Sequence, residues 1–231
     1  MPIKIYQGND MLLGESDITV VIDVIRAFTV AHYAFLKGVE KILLVATVDE
    51  AFHLKSQNPN LVLAGEIKGL PISGFDLDNS PAHICHAKVE GKTLVQKTTN
   101  GVKATLNSLQ AKDLYVTGFS NARTTATYLK KQINQSEREC HVHIVASHPT
   151  GDDDLACAEY MKGILEGNDV MDEKEVVERI INSHVAEKFF DTGQPEFNPD
   201  DLKYCVKELK GEFVMKVNRT GKIPTIERFF I

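Results

Sequence analysis

Residues 18–23 read Ile18-Thr19-Val20-Val21-Ile22-Asp23, a β-branched run stopped by an acid. An apolar run of strand length without polar alternation predicts a strand buried on both faces, as in a parallel sheet covered by helices. The next segment agrees. Residues 28–37 carry apolar side chains at helical spacing and stop at Gly38, a good helix terminator. Working outward, the same strand, loop, helix unit recurs. Strands are predicted over 41–46, 60–64, 92–96, 113–117 and 141–146. Thr47 and Glu50 form a capping-box pattern that opens one helix. Further helices are expected to about Gln110, through Lys131 and to about Glu166. Residues 172–210 read as mostly helical, interrupted around 192–199, and 213–217 and 223–230 supply short strands. The fold class is α/β: a layered, largely parallel sheet with helices on its faces.

The chain has 231 residues, of which 43% are hydrophobic and 25% charged. That composition excludes disordered, collagenous and disulfide-scaffold classes. No composition shift marks a linker, so residues 1–231 are expected to form a single α/β unit, with two intimately packed subdomains as the alternative. The net charge of −6 argues against a nucleic-acid partner held by a basic surface, but not against a small anionic substrate. Cys85, Cys140, Cys157 and Cys205 are dispersed, with no C-x-x-C pair, and read as reduced thiols. There is no apolar stretch of membrane-spanning length and no signal-peptide run, so no membrane partner and a cytoplasmic location are expected. A homo-oligomer stays open.

In open α/β sheets the ligand sits beyond the carboxyl ends of the strands. Five such junctions are unusually polar here: Asp23 to Arg26, Gly65-Glu66, Thr98-Thr99-Asn100-Gly101, Gly118 to Asn121, and Thr150 to Asp154. Carboxylates without paired Cys or His ligands suit a hard cation such as Mg²⁺. Hydroxyls, glycine backbone and Arg suit phosphate oxygens. The combination suggests a metal-assisted phosphate site, although caps and turns use the same residue types. The Walker A loop, the G-x-G-x-x-G fingerprint and the G-x-S-x-G elbow are absent. His141 and His143 share a strand face and read as structural. His148, in a strand-end loop, is an alternative general acid, and Cys157 reads as core.

The run Asp23-Val24-Ile25-Arg26, then Gly65-Glu66, Gly74-Phe75-Asp76-Leu77-Asp78-Asn79-Ser80-Pro81, Thr98-Thr99-Asn100-Gly101, Ser120-Asn121-Ala122 and Asp153-Asp154 resembles the 2-phosphosulfolactate phosphatase family in order and spacing over the whole chain. The tail, Asp201 to Cys205 and Ile223-Pro224, fits as well. The resemblance implies an α/β fold, Mg²⁺ dependence and hydrolysis of (2R)-2-phospho-3-sulfolactate to 3-sulfolactate and phosphate. In organisms that make coenzyme M, that step belongs to its biosynthesis. The chain departs from the family pattern at Ile67, where Arg is usual, at Val102, at Asp153 and at Glu159. Lys68 and Lys97 are nearby cations that would compensate for the missing Arg.

On this reading Asp23, Glu66 and Asp154 hold or orient the metal. Arg26 neutralises transition-state charge, and Asp76 is a further catalytic candidate. Asn79, Ser80, Thr98, Thr99, Asn100, Gly101, Ser120 and Asn121 bind the substrate. The alternatives are a phosphatase for another small phospho-acid and a non-catalytic binding protein for an anionic metabolite.

Overall fold

The computed structural model describes residues 2–167 and 171–231. Strands β1 (Ile3–Gln7) and β2 (Ile18–Ile22) lead into helix α1 (Ala27–Leu36), then β3 (Lys41–Leu44), α2 (Val48–Gln57), β4 (Val62–Ile67), β5 (Leu70–Pro71) and α3 (Pro81–His86). There follow β6 (Thr93–Lys97), α4 (Gly101–Leu106), β7 (Asp113–Thr117), a 3₁₀ turn at Phe119–Asn121, α5 (Ala122–Asn134), β8 (Val142–Ala146) and α6 (Asp152–Glu166). Helices α7 (Glu173–Asn182), α8 (His184–Glu187) and α9 (Asp200–Cys205) precede β9 (Phe213–Asn218) and β10 (Thr225–Phe230).

The run that opened the sequence argument, β2, is buried at every position, as a central parallel strand requires. The strands form one sheet in the order β1-β8-β2-β7-β9-β10-β3-β6-β4-β5. It consists of two parallel wings, β1-β8-β2-β7 and β3-β6-β4, joined by the antiparallel hairpin β9–β10. Because β9 pairs antiparallel with β7 and β10 antiparallel with β3, the wings run in opposite directions. In a flat sheet their carboxyl ends would lie on opposite edges. They meet instead: the Gly101 N–H after β6 donates to Asp23 after β2 at 2.8 Å. Asn9, beyond β1, donates to Asn100 at 2.5 Å. The right-handed twist, roughly 20–25° per strand, accumulates over the steps from β2 to β6 and makes such coiling accessible.

Helix α1 lies where the wings meet and is buried from Ala27 to Phe35. A helix apolar on all sides is what a position enclosed on all sides selects. Gln96 of β6 donates to the Ala27 carbonyl at 2.9 Å, tying α1 to the second wing. The second core cluster joins β8, β2 and β7 to α5, α6 and α7. Gly65 allows β4 and β6 to close together: its φ is +150°, and a Cβ there would fall 1.9 Å from the Lys97 carbonyl oxygen.

The capping box at Thr47 and Glu50 is present on α2. Two elements were not read from the sequence. Strand β1 mixes half-buried and exposed positions without clear alternation, and its pairing with β8 makes it a strand. The loop from Ile67 to Pro81 holds β5 and a bridge from Leu77 back to Ala64, so it packs on β4 instead of hanging free. All four cysteines are free. Among the described residues no helix is long and apolar enough to cross a membrane.

Candidate functional site

The polar junctions of both wings converge on Asp23. Its Oδ1 accepts the Ala27 N–H at 2.9 Å and its Oδ2 the Gly101 N–H at 2.8 Å, so one carboxylate joins the start of α1 to the start of α4. Asp23 is 5% exposed. Burial pushes its carboxyl up to about 7, with the charges of Glu66 and Asp153 adding to the rise and the two backbone donors opposing it. Gly101 makes the approach feasible, because a Cβ there would fall 2.7 Å from Asp23 Oδ2.

Glu66, at the end of β4, is held in the same manner. It accepts the Thr99 N–H, the Thr99 hydroxyl at 2.9 Å and the Gly69 N–H. Sequence reasoning assigned Thr98 to Gly101 to phosphoryl oxygens; the geometry commits the donors of Thr99 and Gly101 to carboxylates, while Thr98 and Asn100 take part as acceptors. The Thr99 N–H serves Glu66, the Gly101 N–H serves Asp23, and the Thr98 hydroxyl caps the Val102 N–H at 3.0 Å. Asn100 accepts from Asn9. Through Thr99 and Gly101 the loop orients two carboxylates.

The two acids at the start of α6 divide their work. Asp154 Oδ1 accepts the Val24 N–H at 2.7 Å. Its Oδ2 accepts the Ser147 hydroxyl at 3.0 Å and the His148 N–H at 2.9 Å. Asp154 therefore stitches the ends of β2 and β8 together. Burial, then the charges of Asp153 and Asp23, hold its carboxyl well above the ordinary range. Asp153, one residue earlier on the helix, accepts the Ser183 hydroxyl at 3.1 Å. Its carboxyl is raised to about 6 by burial. The sequence reading took Asp154 as the metal residue. Its oxygens already receive three donors. Asp153 is held as well, by the Ser183 hydroxyl and by backbone N–H groups that include that of Ile25, and it is the α6 acid whose charge, with that of Glu66, acts on Asp23.

Arg26 is 4% exposed and clamped. It donates to Asp201 at 2.8 Å and to the Gly69 carbonyl at 2.9 Å, with its guanidinium 5.1 Å from the Phe189 ring centroid and 5.7 Å from that of Phe197. Two of its five N–H groups are thereby used. Asp201 is fully buried and also accepts the Ser80 hydroxyl at 2.5 Å and the Ala82 N–H at 3.1 Å. Ser80 thus serves as the N-cap of α3 and as a prop for the Arg26–Asp201 pair. Its neighbour Asn79 is buried, and its Oδ1 has no hydrogen-bond partner, an orphan acceptor of the kind that calls for an explanation.

Three expected site residues are not brought to this cluster. Asp76 is exposed and pairs with Lys55 at 2.6 Å while accepting the Leu63 N–H at 2.7 Å, which fastens its loop to β4. Ser120 meets the ring of buried His32 at 2.8 Å, and Asn121 accepts the Thr117 hydroxyl at 2.7 Å. Both are fully buried packing groups at the entry to α5. His143 packs edge-on against Tyr6, the structural role expected of it. His148 stands beside the cluster with its ring 5.5 Å from that of His184. Ile67 is 44% exposed, and the Lys97 ammonium donates to the Glu66 carbonyl at 3.3 Å. A groove of about 940 Å³ along the β9–β10 hairpin shares no residue with the cluster.

Sequence reasoning gave no role to two residues of the cluster, Asp153 and Asp201. Asp153 was hidden by helix phase, since adjacent positions point about 100° apart. Asp201 falls in the tail run quoted for the resemblance, but its pairing with Arg26, 175 residues away, has no local sign.

Among the described residues no three His, Cys, Asp or Glu side chains form a ready-made metal cage. The donor chemistry nevertheless suits Mg²⁺. That ion takes one or two carboxylates, keeps several waters and adds substrate phosphate oxygens. Asp23 and Asp153 are buried carboxylates raised by burial, which a cation would relieve, and Glu66 stands by.

A family model described as 2-phosphosulpholactate phosphatase matches residues 12–220. A Bacillus subtilis (strain 168) protein named "Probable 2-phosphosulfolactate phosphatase" is 59% identical over 231 residues, covering 100% of both chains. A protein of the same name in Clostridium perfringens (strain SM101 / Type A) is 30% identical over 236 residues, covering 96% of this chain and 93% of its own. One in Clostridium acetobutylicum is 31% identical over 214 residues, covering 87% and 84%.

Proposed function

The chain belongs to the 2-phosphosulfolactate phosphatase family, and from that premise we propose that it hydrolyses (2R)-2-phospho-3-sulfolactate to 3-sulfolactate and phosphate. It is a phosphoric monoester hydrolase. The observation that supports a reaction centre at Asp23 is the convergence of Asp23, Glu66 and Asp153 from three strand ends, each acid nearly buried and held by backbone or hydroxyl donors.

Asp23 and Asp153 would hold Mg²⁺, with Glu66 beside them. When bound, Mg²⁺ supplies neutralisation of phosphoryl charge and a more acidic water. The rest falls to the chain. Backbone N–H groups fix the Asp23 and Glu66 carboxylates, so their orientation costs nothing at the moment of reaction. With its carboxyl near 7, Asp23 exchanges a proton close to neutral pH when no cation is present. Arg26 retains unused N–H groups and presents fixed positive charge to an anionic transition state. Burial beside Phe189 and Phe197 keeps that charge poorly screened.

The test is phosphate release from (2R)-2-phospho-3-sulfolactate, 2-phospholactate and other small phospho-acids, with Mg²⁺ and with EDTA. The reading expects the sulfonated substrate to have the highest kcat/KM and EDTA to abolish turnover. A better phospho-acid would change the substrate. Full activity in EDTA would remove the metal. Binding without turnover would make the protein a metabolite binder.

A further inference from the structure

Lys188 follows α8 and is half-buried, yet among the described residues its ammonium makes no hydrogen bond and no ion pair. An ammonium has three donors, and leaving them without acceptors in a partly buried place is unfavourable. Its position is well defined. Nζ lies 4.7 Å from the Phe197 ring centroid and 5.8 Å from that of Phe189. It also lies 3.2 Å from where a Cβ on Gly69 would stand, so it rests against the turn that holds Glu66.

Arg26 sits over the same two rings. Two cations therefore share one aromatic pair, and only Arg26 has an acid partner, Asp201. Burial and then the charge of Arg26 lower the affinity of Lys188 for its proton, while Glu66, Asp153 and Asp23 act in the opposite sense. Lys188 thus faces the carboxylate cluster without bonding to it. His148 and His184 stand on the same side, and the His148 ring feels Lys188 as well.

The substrate named above carries a phosphoryl group and, beyond it, further anionic groups. The phosphoryl group belongs near Asp23 and Asp153, at the ends of β2 and β8. Lys188 lies against the Glu66–Gly69 turn and two phenyl rings, within the field of the same acids. A sulfonate, weakly hydrated and permanently charged, suits a cation on an aromatic shelf better than a strongly hydrated phosphate dianion does. Resting on the phosphatase reading, we propose that Lys188 is a specificity-determining residue that binds the sulfonate end of the substrate.

The test compares wild type with Lys188→Met and Lys188→Arg in KM and kcat for 2-phosphosulfolactate and for 2-phospholactate, which lacks the sulfonate. In parallel, calorimetry measures binding of 3-sulfolactate and of inorganic phosphate. Lys188→Met should raise KM for the sulfonated substrate about tenfold or more, with a smaller change for 2-phospholactate, because one charge-assisted contact is lost. Its affinity for 3-sulfolactate should fall by a similar factor while that for phosphate holds, and Lys188→Arg should recover most of both. Equal losses on the two substrates, a fall in kcat alone, or unchanged 3-sulfolactate binding would overturn the assignment. Should wild type hydrolyse neither compound, the phosphatase reading fails, and the 3-sulfolactate arm still decides whether Lys188 holds a sulfonate. Lys188→Gln, read in the same assays, replaces Lys188→Met should the latter not fold.

Discussion

Gly101→Ala tests the joint between the two wings. In an ordinary helix, replacing Gly by Ala gains up to about 1 kcal/mol, because Gly has more backbone freedom to lose. Gly101 opens α4 with an unexceptional φ, so propensity alone predicts a more stable protein. The surroundings reverse the sign. The added Cβ would stand 2.7 Å from Asp23 Oδ2, 2.9 Å from its Cβ and 3.1 Å from its Cγ. Asp23 cannot swing away freely, because Ala27 and Gly101 fix both its oxygens. Overpacking of this kind costs about 1–3 kcal/mol. Pushing the carboxylate away from the residue 101 N–H, which alanine keeps, weakens a charge-assisted hydrogen bond and adds about 1.5 kcal/mol. The net expectation is about 2 kcal/mol of destabilisation, which lowers Tm by about 4–8 °C in a chain of this length. Thermal melting by circular dichroism measures it. Gly14→Ala is the control, since no atom lies within 4 Å of a Cβ there, and should leave Tm within about 1 °C. A Gly101→Ala protein as stable as wild type, or more so, would refute the contact between Asp23 and the α4 entry.

Three further expectations follow from the same geometry. In EDTA, the Tm difference between Asp23→Asn and wild type should move in the variant's favour as pH rises from 5 to 8. The folded-state pKa of about 7 exceeds the ordinary 3.8, so wild type loses this contribution between those values. The change is about 2–3 kcal/mol, or about 4–12 °C, and parallel pH profiles would contradict it. Asp201→Ala strands Arg26, Ser80 and the Ala82 N–H in a buried place. It should cost about 3–5 kcal/mol by denaturant unfolding, and a loss below about 1 kcal/mol would show that the pair is dispensable. Ile67→Arg, at an exposed position, should leave stability within about 0.5 kcal/mol, so the lower KM expected for 2-phosphosulfolactate would report binding alone.

The wings were legible in the sequence because each parallel strand carries its own burial signature. The β2 run has no polar residue facing solvent, and the capping box at Thr47 announced α2. Their assembly was not legible. The antiparallel joint depends on β9 pairing with β7 and β10 with β3, contacts more than 90 residues apart that no local pattern encodes. Asp23 and Glu66 could be found because an acid directly after a buried strand is costly without a partner. Asp76 looked equally suitable, but its partner proved to be Lys55, brought near by the packing of α2 on β4. Asp201 lies in a run that resembles the family, but its role was not legible, because it comes from Arg26, far away along the chain. Asn121 and Ser120 have the composition of a phosphate loop, yet their hydrogen bonds go to Thr117 and His32, which only the folded interior reveals.

The measurement that bears most directly on the central claim is steady-state phosphate release by Asp23→Asn at saturating Mg²⁺, alongside its melting curve. With Asp23 at the reaction centre, turnover of 2-phosphosulfolactate should fall by about 10²-fold or more while the folded state persists. A folded Asp23→Asn protein that turns over at the wild-type rate would reduce Asp23 to a structural tie between α1 and α4 and would move the reaction centre elsewhere.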